Sequence, residues 1–118
     1  IHQCLPGGGH RRHWFGSRNA LGQTYLLRNC FFEPTTDACA DPVDACMERI
    51  ACAFRWHKPA VISSHRVNYV GFIHPTNRDR SLRLLGELLD RIRRRWPDVR
   101  FRTSDELTSL LADQKNPT

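Results

Sequence analysis

His65 is the side chain of this sequence best placed for acid–base chemistry. It follows a short apolar segment, residues 60–64, and its imidazole can exchange protons near neutral pH. A histidine at the end of a strand can protonate a leaving group or stabilise a developing oxyanion. The alternative is that His65 satisfies backbone carbonyls in a turn, and its position alone does not decide between these roles.

Arg28 closes a second apolar segment, residues 24–28, and is a candidate for a supporting catalytic role. A guanidinium in that position can orient a catalytic carboxylate or anchor an anionic substrate. The structural alternative is a salt bridge, for which Glu33 is a candidate partner.

Three polar residues near these two are candidates for binding a substrate, namely Asn29, Asn68 and Tyr69. Amide and phenol groups can line a sugar site through hydrogen bonds, and an aromatic ring can stack on the sugar. For Tyr69, packing within the fold is the alternative.

Six elements must position these side chains, and strands alternate with helices along the chain. Short apolar segments predict the strands, and apolar residues at helical spacing predict the helices. The predicted strands are residues 24–28, 60–64 and 99–103, and the predicted helices are residues 42–56, 82–96 and 105–111. Asp41 with Pro42 favours the start of the first helix, and Thr103 with Glu106 predicts a capping box at the last.

This order is typical of an α/β fold with parallel strands and helical crossovers. Functional groups in such folds gather beyond the C-terminal ends of the strands, where the sequence places His65 and Arg28. Three strands do not close a barrel, so the alternatives are a small open sheet and three consecutive β/α units that form part of a barrel. The start at Ile1 and the long loop-like opening favour the second. The chain is then a single partial domain, residues 1–118, made of a loop-rich opening segment (1–23), the three units (24–111) and a tail (112–118).

The composition excludes several classes of protein. Of the 118 residues, 40% are apolar, which is too many for a disordered chain, and no apolar run approaches the roughly 20 residues that span a bilayer. The sequence contains no basic segment followed by an apolar one, so we predict no signal peptide in it. Because the first residue is Ile1 rather than Met, we expect the chain to begin within a longer protein, and a processed or trimmed terminus is the alternative.

The net charge of +6 comes from arginine, since Lys58 and Lys115 are the only lysines among 18 basic residues. The densest cluster, residues 91–102, can bind phosphates without specificity, but at a helix end it complements the helix dipole and faces solvent. We therefore do not expect nucleic acid as a partner, although a small basic α/β binding module stays an alternative.

Five cysteines without a C-x-x-C pair fit neither a structural zinc site nor a disulfide framework. Reduced thiols are the simplest interpretation. They favour a cytoplasmic location, which the sequence otherwise leaves open.

Three segments of the sequence resemble the C-terminal half of bacterial polysaccharide deacetylase-like proteins. The segments are residues 25–34, 58–71 and 95–107, and the similarity covers most of residues 20–111. Its most specific element is the strand that runs into Ser-His-Arg at residues 64–66. The motifs Trp-Pro-Asp-Val and Thr-Ser-Asp-Glu-Leu near the end of the chain support it.

The resemblance implies a deformed (β/α)7 barrel in which a divalent metal, zinc or similar, activates water against an N- or O-acetyl group of a glycan. A late histidine at a strand end acts as the acid in this family, and His65 matches that position. Arg28 is a looser match to the arginine that orients the catalytic base, whereas Asn29-Cys30 departs from the usual Arg-Pro-Pro. The sequence has no match to the family's Asp-Asp motif or His-x3-His pair, so we expect the base and the metal ligands in a missing N-terminal half of the barrel.

The resulting hypothesis is the C-terminal portion of a metal-dependent carbohydrate deacetylase, with His65 as general acid and an acetylated glycan as substrate. Hydrolysis without the metal lacks its activated water, so we predict that the 118 residues alone are inactive and that the full-length parent is the enzyme. The alternatives are a noncatalytic carbohydrate-binding relative of the barrel and the small basic module.

Overall fold

The computed structural model describes residues 2–35 and 41–113. Its strands are β1 (His2–Cys4), β2 (His10–Arg12), β3 (Cys30–Phe31) and β4 (Ile62–Ser63). Its helices are α1 (Pro42–Arg55), α2 (Pro75–Arg95) and α3 (Ser104–Asp113), with a 3₁₀ helix (Arg66–Tyr69) between β4 and α2. These elements belong to two compact units, of which one is Arg28–Val99 and the other comprises the residues before and after it.

The unit Arg28–Val99 is built on a two-stranded parallel sheet of β3 and β4, in which Phe31 lies opposite Ser63. Helix α1 connects the two strands, so this part of the chain is a β-α-β unit. Backbone bonds extend the pairing, because the Cys30 N–H donates to Val61 O (3.1 Å) and the Phe32 N–H donates to Ser63 O (2.9 Å).

The core of this unit lies among the sheet, α1 and α2. Apolar side chains recur on α1 at helical spacing and meet two side chains of α2. The buried residues are Cys30, Phe32, Val43, Cys46, Met47, Ile50, Leu88 and Ile92. Asp41 begins α1, since its carboxylate accepts a hydrogen bond from the Val43 N–H (2.9 Å), and Pro42 occupies the first turn. The prediction of this helix is confirmed.

The residues outside Arg28–Val99 contain a β-hairpin and α3. β1 and β2 are antiparallel, with Gln3 opposite Arg11, so the loop-rich opening segment contains a β-hairpin that the sequence does not predict. Helix α3 begins at the predicted capping box, where the Thr103 N–H donates to Glu106 Oε2 (2.8 Å) and the Glu106 N–H donates to Thr103 Oγ1 (3.3 Å). Residues 114–118 of the predicted tail lie outside the described residues.

Two of the three predicted strands differ from the structure. The first is β3 and not residues 24–28, because Cys30 and Phe32 are the side chains buried in the core, whereas Leu27 is exposed. Residues 99–103 form no strand: Val99 packs against the core, and residues 100–103 are exposed. Residues 60–64 contain β4, as predicted. Helix α2 begins at Pro75, earlier than the apolar spacing predicts.

The fold is mixed α/β, and the described ranges form two small sheets and no closed barrel. Neither range contains a helix that is long and apolar enough to cross a membrane.

Candidate active site

The carboxyl ends of β3 and β4 bring Glu33 and His65 together. Phe31 and Ser63 are opposite each other in the parallel register, and each is followed two residues later by one member of the pair. His65 Nδ1 lies 2.6 Å from Glu33 Oε1, and the His65 backbone N–H donates to the same oxygen at 3.1 Å. The strand register thus creates a contact between residues 32 positions apart.

The two side chains differ in exposure. The Glu33 side chain is 18% exposed and the His65 side chain 71%. Burial acts to raise the pKa of Glu33, but hydrogen bonds from Asn68 and His65, with the charge of His65, outweigh it and hold this pKa below its ordinary value. An ionised carboxylate only accepts hydrogen bonds, so we assign the shared proton to Nδ1. Nε2 is then the nitrogen that can act on a substrate.

Asn68 contacts this pair from the protein interior and is fully buried. It belongs to the 3₁₀ helix Arg66–Tyr69, which follows His65 directly. Its Nδ2 donates to Glu33 Oε2 (2.6 Å) and to His65 O (2.9 Å), and its Oδ1 accepts from the Thr35 N–H (3.1 Å). The structure therefore places this predicted substrate-binding residue out of contact with solvent.

Tyr69 lies at the end of the same 3₁₀ helix and is partly buried. Its hydroxyl is 2.7 Å from the hydroxyl of Ser64, which is exposed and directly precedes His65. A hydroxyl pair in this position can donate to and accept from a sugar, which is compatible with the predicted role of Tyr69 in substrate binding.

The start of α2 holds the loop that carries Glu33. The Arg80 guanidinium donates from Nη1 to Pro34 O (2.8 Å), and Asn77 Nδ2 donates to Thr35 Oγ1 (3.3 Å). Because Asn68 also binds the Thr35 N–H, residues 33–35 are fixed by both the 3₁₀ helix and α2.

Asn29 lies at the amino end of β3, at the other end of the sheet from His65. Its Oδ1 accepts from the Val61 N–H (2.7 Å), and its Nδ2 donates to Pro59 O (3.0 Å). Both polar groups of this predicted substrate-binding residue therefore hold the segment that leads into β4.

Arg28 is exposed and precedes β3, which begins at Cys30. The prediction that Arg28 ends a strand is wrong for this reason. From the sequence we expect Arg28 and His65 together at the C-terminal ends of the strands, whereas the structure places them at opposite ends of the sheet. Glu33, considered as a salt-bridge partner of Arg28, pairs with His65 instead.

Sequence reasoning missed Glu33 as the partner of His65. Each of them stands two residues beyond the last residue of its strand. This equivalence becomes visible only when the first strand is placed at Cys30–Phe31, and the apolar run Cys30, Phe31 and Phe32 shows no alternation from which the sequence could place it.

The described residues do not fit a resident divalent metal. Within residues 2–35 and 41–113, no group of three or more His, Cys, Asp or Glu side chains could hold an ion. The core thiols are not prepared for metal binding either, because burial raises the pKa of both Cys30 and Cys46 to about 11. We therefore derive no step through a metal from these residues.

Three arginines of the basic cluster take part in contacts within the fold, and one of them is Arg102, whose Nη1 lies 3.6 Å from Glu106 Oε1. Arg91 Nη2 lies 2.6 Å from Asp44 Oδ1, and the Arg95 guanidinium lies 4.9 Å from the centre of the Trp96 ring. Arginines of the cluster that bind groups of the same chain are less available to an anionic partner.

No protein-family model matches the chain, and comparison with curated proteins and solved structures finds none that is significantly similar to it.

Proposed function

We propose that this chain is the C-terminal portion of a carbohydrate deacetylase and that His65 is its general acid. The observation that carries the proposal is the 2.6 Å contact between His65 Nδ1 and the Glu33 carboxylate beyond two parallel strands. A carboxylate on Nδ1 fixes the tautomer of a histidine and stabilises its imidazolium form. The resemblance of residues 25–34, 58–71 and 95–107 to polysaccharide deacetylase-like proteins supports the reaction class.

The step assigned to His65 is protonation of the leaving group. The imidazolium donates its Nε2 proton to the sugar nitrogen or oxygen while the bond from that atom to the acetyl carbon breaks. The sugar departs as a neutral amine or alcohol, and His65 becomes neutral until it takes a proton from solvent. The Glu33 carboxylate accepts from Nδ1–H throughout and does not itself become protonated.

The attack of water needs groups beyond those described. In a deacetylase of this kind, a divalent metal such as zinc would supply that activation when bound, and the described residues provide no ligand set for it. We place the metal ligands and the catalytic base in an N-terminal half of the barrel that precedes residue 1. The segment from β3 to α2 then supplies two β/α units of a deformed (β/α)7 barrel, whose other strands extend the β3–β4 sheet.

The test measures acetate release from N-acetylated chito-oligosaccharides and from O-acetylated xylo-oligosaccharides by the protein that the complete reading frame encodes. His65→Gln should lower kcat by about 100-fold or more, because the leaving group loses its proton donor. Glu33→Gln should have a smaller effect, because His65 keeps Nε2 but loses its fixed orientation. The matched control is His74→Gln, since His74 is exposed and precedes α2 without capping it through its side chain.

Each result has a distinct meaning. Unchanged acetate release by His65→Gln overturns the assignment of the acid. A zinc-loaded wild-type protein that releases no acetate overturns the deacetylase proposal as a whole. The 118 residues alone should release none, and hydrolysis by them would contradict the placement of the metal site in another part of the protein.

A further inference from the structure

We propose that Asn68 is a positioning residue, whose buried amide sets the orientation of the Glu33 carboxylate toward His65. Its importance for catalysis rests on the proposed function, whereas its effect on the histidine does not.

The orientation of the Asn68 amide is determined by its neighbours. Glu33 Oε2 and His65 O are acceptors, and both face Nδ2, whereas the Thr35 N–H is a donor and faces Oδ1. An amide turned by 180° would place its oxygen against a carboxylate and a carbonyl, and its NH₂ against an N–H. All three contacts would then be repulsive, so only one orientation of the amide satisfies the site.

Because the amide is fixed, the two oxygens of the Glu33 carboxylate have different partners. Oε2 is bound by Asn68, and Oε1 is left to accept from both the ring and the backbone of His65. Without the amide, Oε2 loses a short hydrogen bond in the protein interior. The carboxylate can then rotate toward water, and Oε1 no longer stays in line with Nδ1.

Asn68 also ties together the two segments that carry the pair. One end of its amide binds the backbone at Thr35, two residues after Glu33, and the other end binds the carbonyl of His65. An apolar residue of the same size would fill the space but would make none of these bonds. The polar atoms, and not the volume, therefore carry the role.

The experiment reads the tautomer of His65 by ¹⁵N NMR of the imidazole in the 118-residue chain. In the wild-type chain, neutral His65 should carry its proton mainly on Nδ1. Asn68→Ala should shift the neutral ring toward the Nε2–H tautomer that free histidine prefers. Asn68→Asp should do the same at nearly constant volume, because a carboxylate cannot donate to Glu33 Oε2.

Two control variants separate positioning from general loosening of the fold. Asn29→Ala removes an asparagine that bridges the same two chain segments at the other end of the sheet. Ser64→Ala removes the hydrogen bond between the Ser64 and Tyr69 hydroxyls. Around Asn68 it removes only a weak 3.5 Å contact to Nδ2. Neither should change the His65 tautomer. An Asn68→Ala or Asn68→Asp spectrum identical to wild type overturns the proposal.

A measurement on the unaltered chain covers the case in which the Asn68 variants do not fold. When Glu33 is titrated with acid, the Asn68 Nδ2 proton resonance should move with the same midpoint as the Glu33 carboxyl carbon, because the two groups share a hydrogen bond. A side-chain amide that does not respond to this titration contradicts the proposal.

The kinetic readout distinguishes this proposal from the proposed function. In an active deacetylase, Asn68→Ala should lower kcat about tenfold with little change in KM, because the buried amide does not touch the substrate. If the protein is not a deacetylase, the tautomer shift should still be seen. If it is a deacetylase and the tautomer does not shift, the role of Asn68 fails while that of His65 stands.

Discussion

At each end of the β3–β4 sheet, an asparagine side chain bridges two segments of the chain, but the groups that the two asparagines bind are different. At the amino end, Asn29 bridges the two strand segments through Val61 N–H and Pro59 O, and both of its partners are backbone groups. At the carboxyl end, Asn68 also bridges two segments, but one of its bonds goes to the side chain of Glu33.

This difference distinguishes the amino end, where the asparagine has a structural role, from the carboxyl end, which is the candidate site. The amide of Asn29 fixes only the path of the chain, whereas the amide of Asn68 fixes a titratable group that contacts an exposed histidine. Hydrogen bonding by a partly buried asparagine is therefore not a functional signal in itself. What makes the carboxyl end a candidate site is the ionisable pair that the bonds orient.

The largest effect on both ends of the sheet is expected when the Phe32 side chain, which lies between Asn29 and Glu33 in sequence, is truncated. Phe32 is fully buried and follows β3 directly, so Phe32→Ala should lower the free energy of unfolding by about 3–5 kcal/mol and loosen both ends together. Denaturant unfolding measures this loss. The matched control is Phe72→Ala, at a side chain that is 97% exposed, which should change stability by less than about 0.5 kcal/mol. Equal effects of the two variants would show that Phe32 is not part of the core.

The second prediction compares the two asparagines directly. Asn68→Ala leaves the Thr35 N–H and Glu33 Oε2 without a partner beside a fully buried position, and should cost about 2–4 kcal/mol of unfolding free energy. Asn29→Ala exposes partly buried backbone groups that water can reach, and should cost about 1–2 kcal/mol. If urea unfolding shows a larger loss of unfolding free energy for Asn29→Ala than for Asn68→Ala, the carboxyl end of the sheet is not the end that is held more strongly.

The third prediction concerns acid, because only the carboxyl end has a carboxylate with a lowered pKa. That shift stabilises the fold above the ordinary pKa of 4.5, and the stabilisation is lost as the pH falls from there through the lower folded-state pKa of Glu33. Glu33→Gln should remove this part of the pH dependence, by less than about 1 kcal/mol because solvent screens the pair.

The control for acid sensitivity is Glu48→Gln, which removes the same charge from an exposed position of α1. Its unfolding free energy should fall with acid as in the wild type. If Glu33→Gln and Glu48→Gln give the same curve, the Glu33–His65 contact does not contribute to folding.

The smallest expected effect uses Cys30 as a reporter of local opening. Burial raises the pKa of its thiol to about 11, so a thiol reagent at about pH 8 should modify it slowly, while exposed Cys52 reacts at once. Asn29→Ala should accelerate labelling of Cys30 by about two- to fivefold, through more frequent opening at the amino end. Peptide mass spectrometry reads each cysteine separately, and buried Cys46 of α1 should keep its rate. Acceleration of both thiols alike would indicate global and not local opening.

Local signals were sufficient for the elements whose contacts are close in sequence. Asp41 and Pro42 predict the start of α1, and Thr103 with Glu106 predicts the start of α3, because capping bonds span only a few residues. The apolar run of residues 60–64 predicts β4 as well, because this signal lies within the strand itself, although the strand that β4 pairs with is 32 residues away.

The position of β3 could not be predicted in this way. A strand of two residues has too few positions to show a period, and the more apolar residues 24–28 imitate one. His65 could be selected as a candidate because strand ends collect functional groups. Its partner could not, because the Glu33 contact depends on a register between segments 32 residues apart.

Helix α2 joins the site to a distant part of its unit. Its start holds the Glu33 loop through Asn77 and Arg80, and its 21 residues end in three consecutive arginines. An α-helix of that length is a stiff rod of roughly 30 Å. A rod of this length carries a tilt at one end to the other, so the position of the loop that carries Glu33 is tied to the orientation of the whole helix.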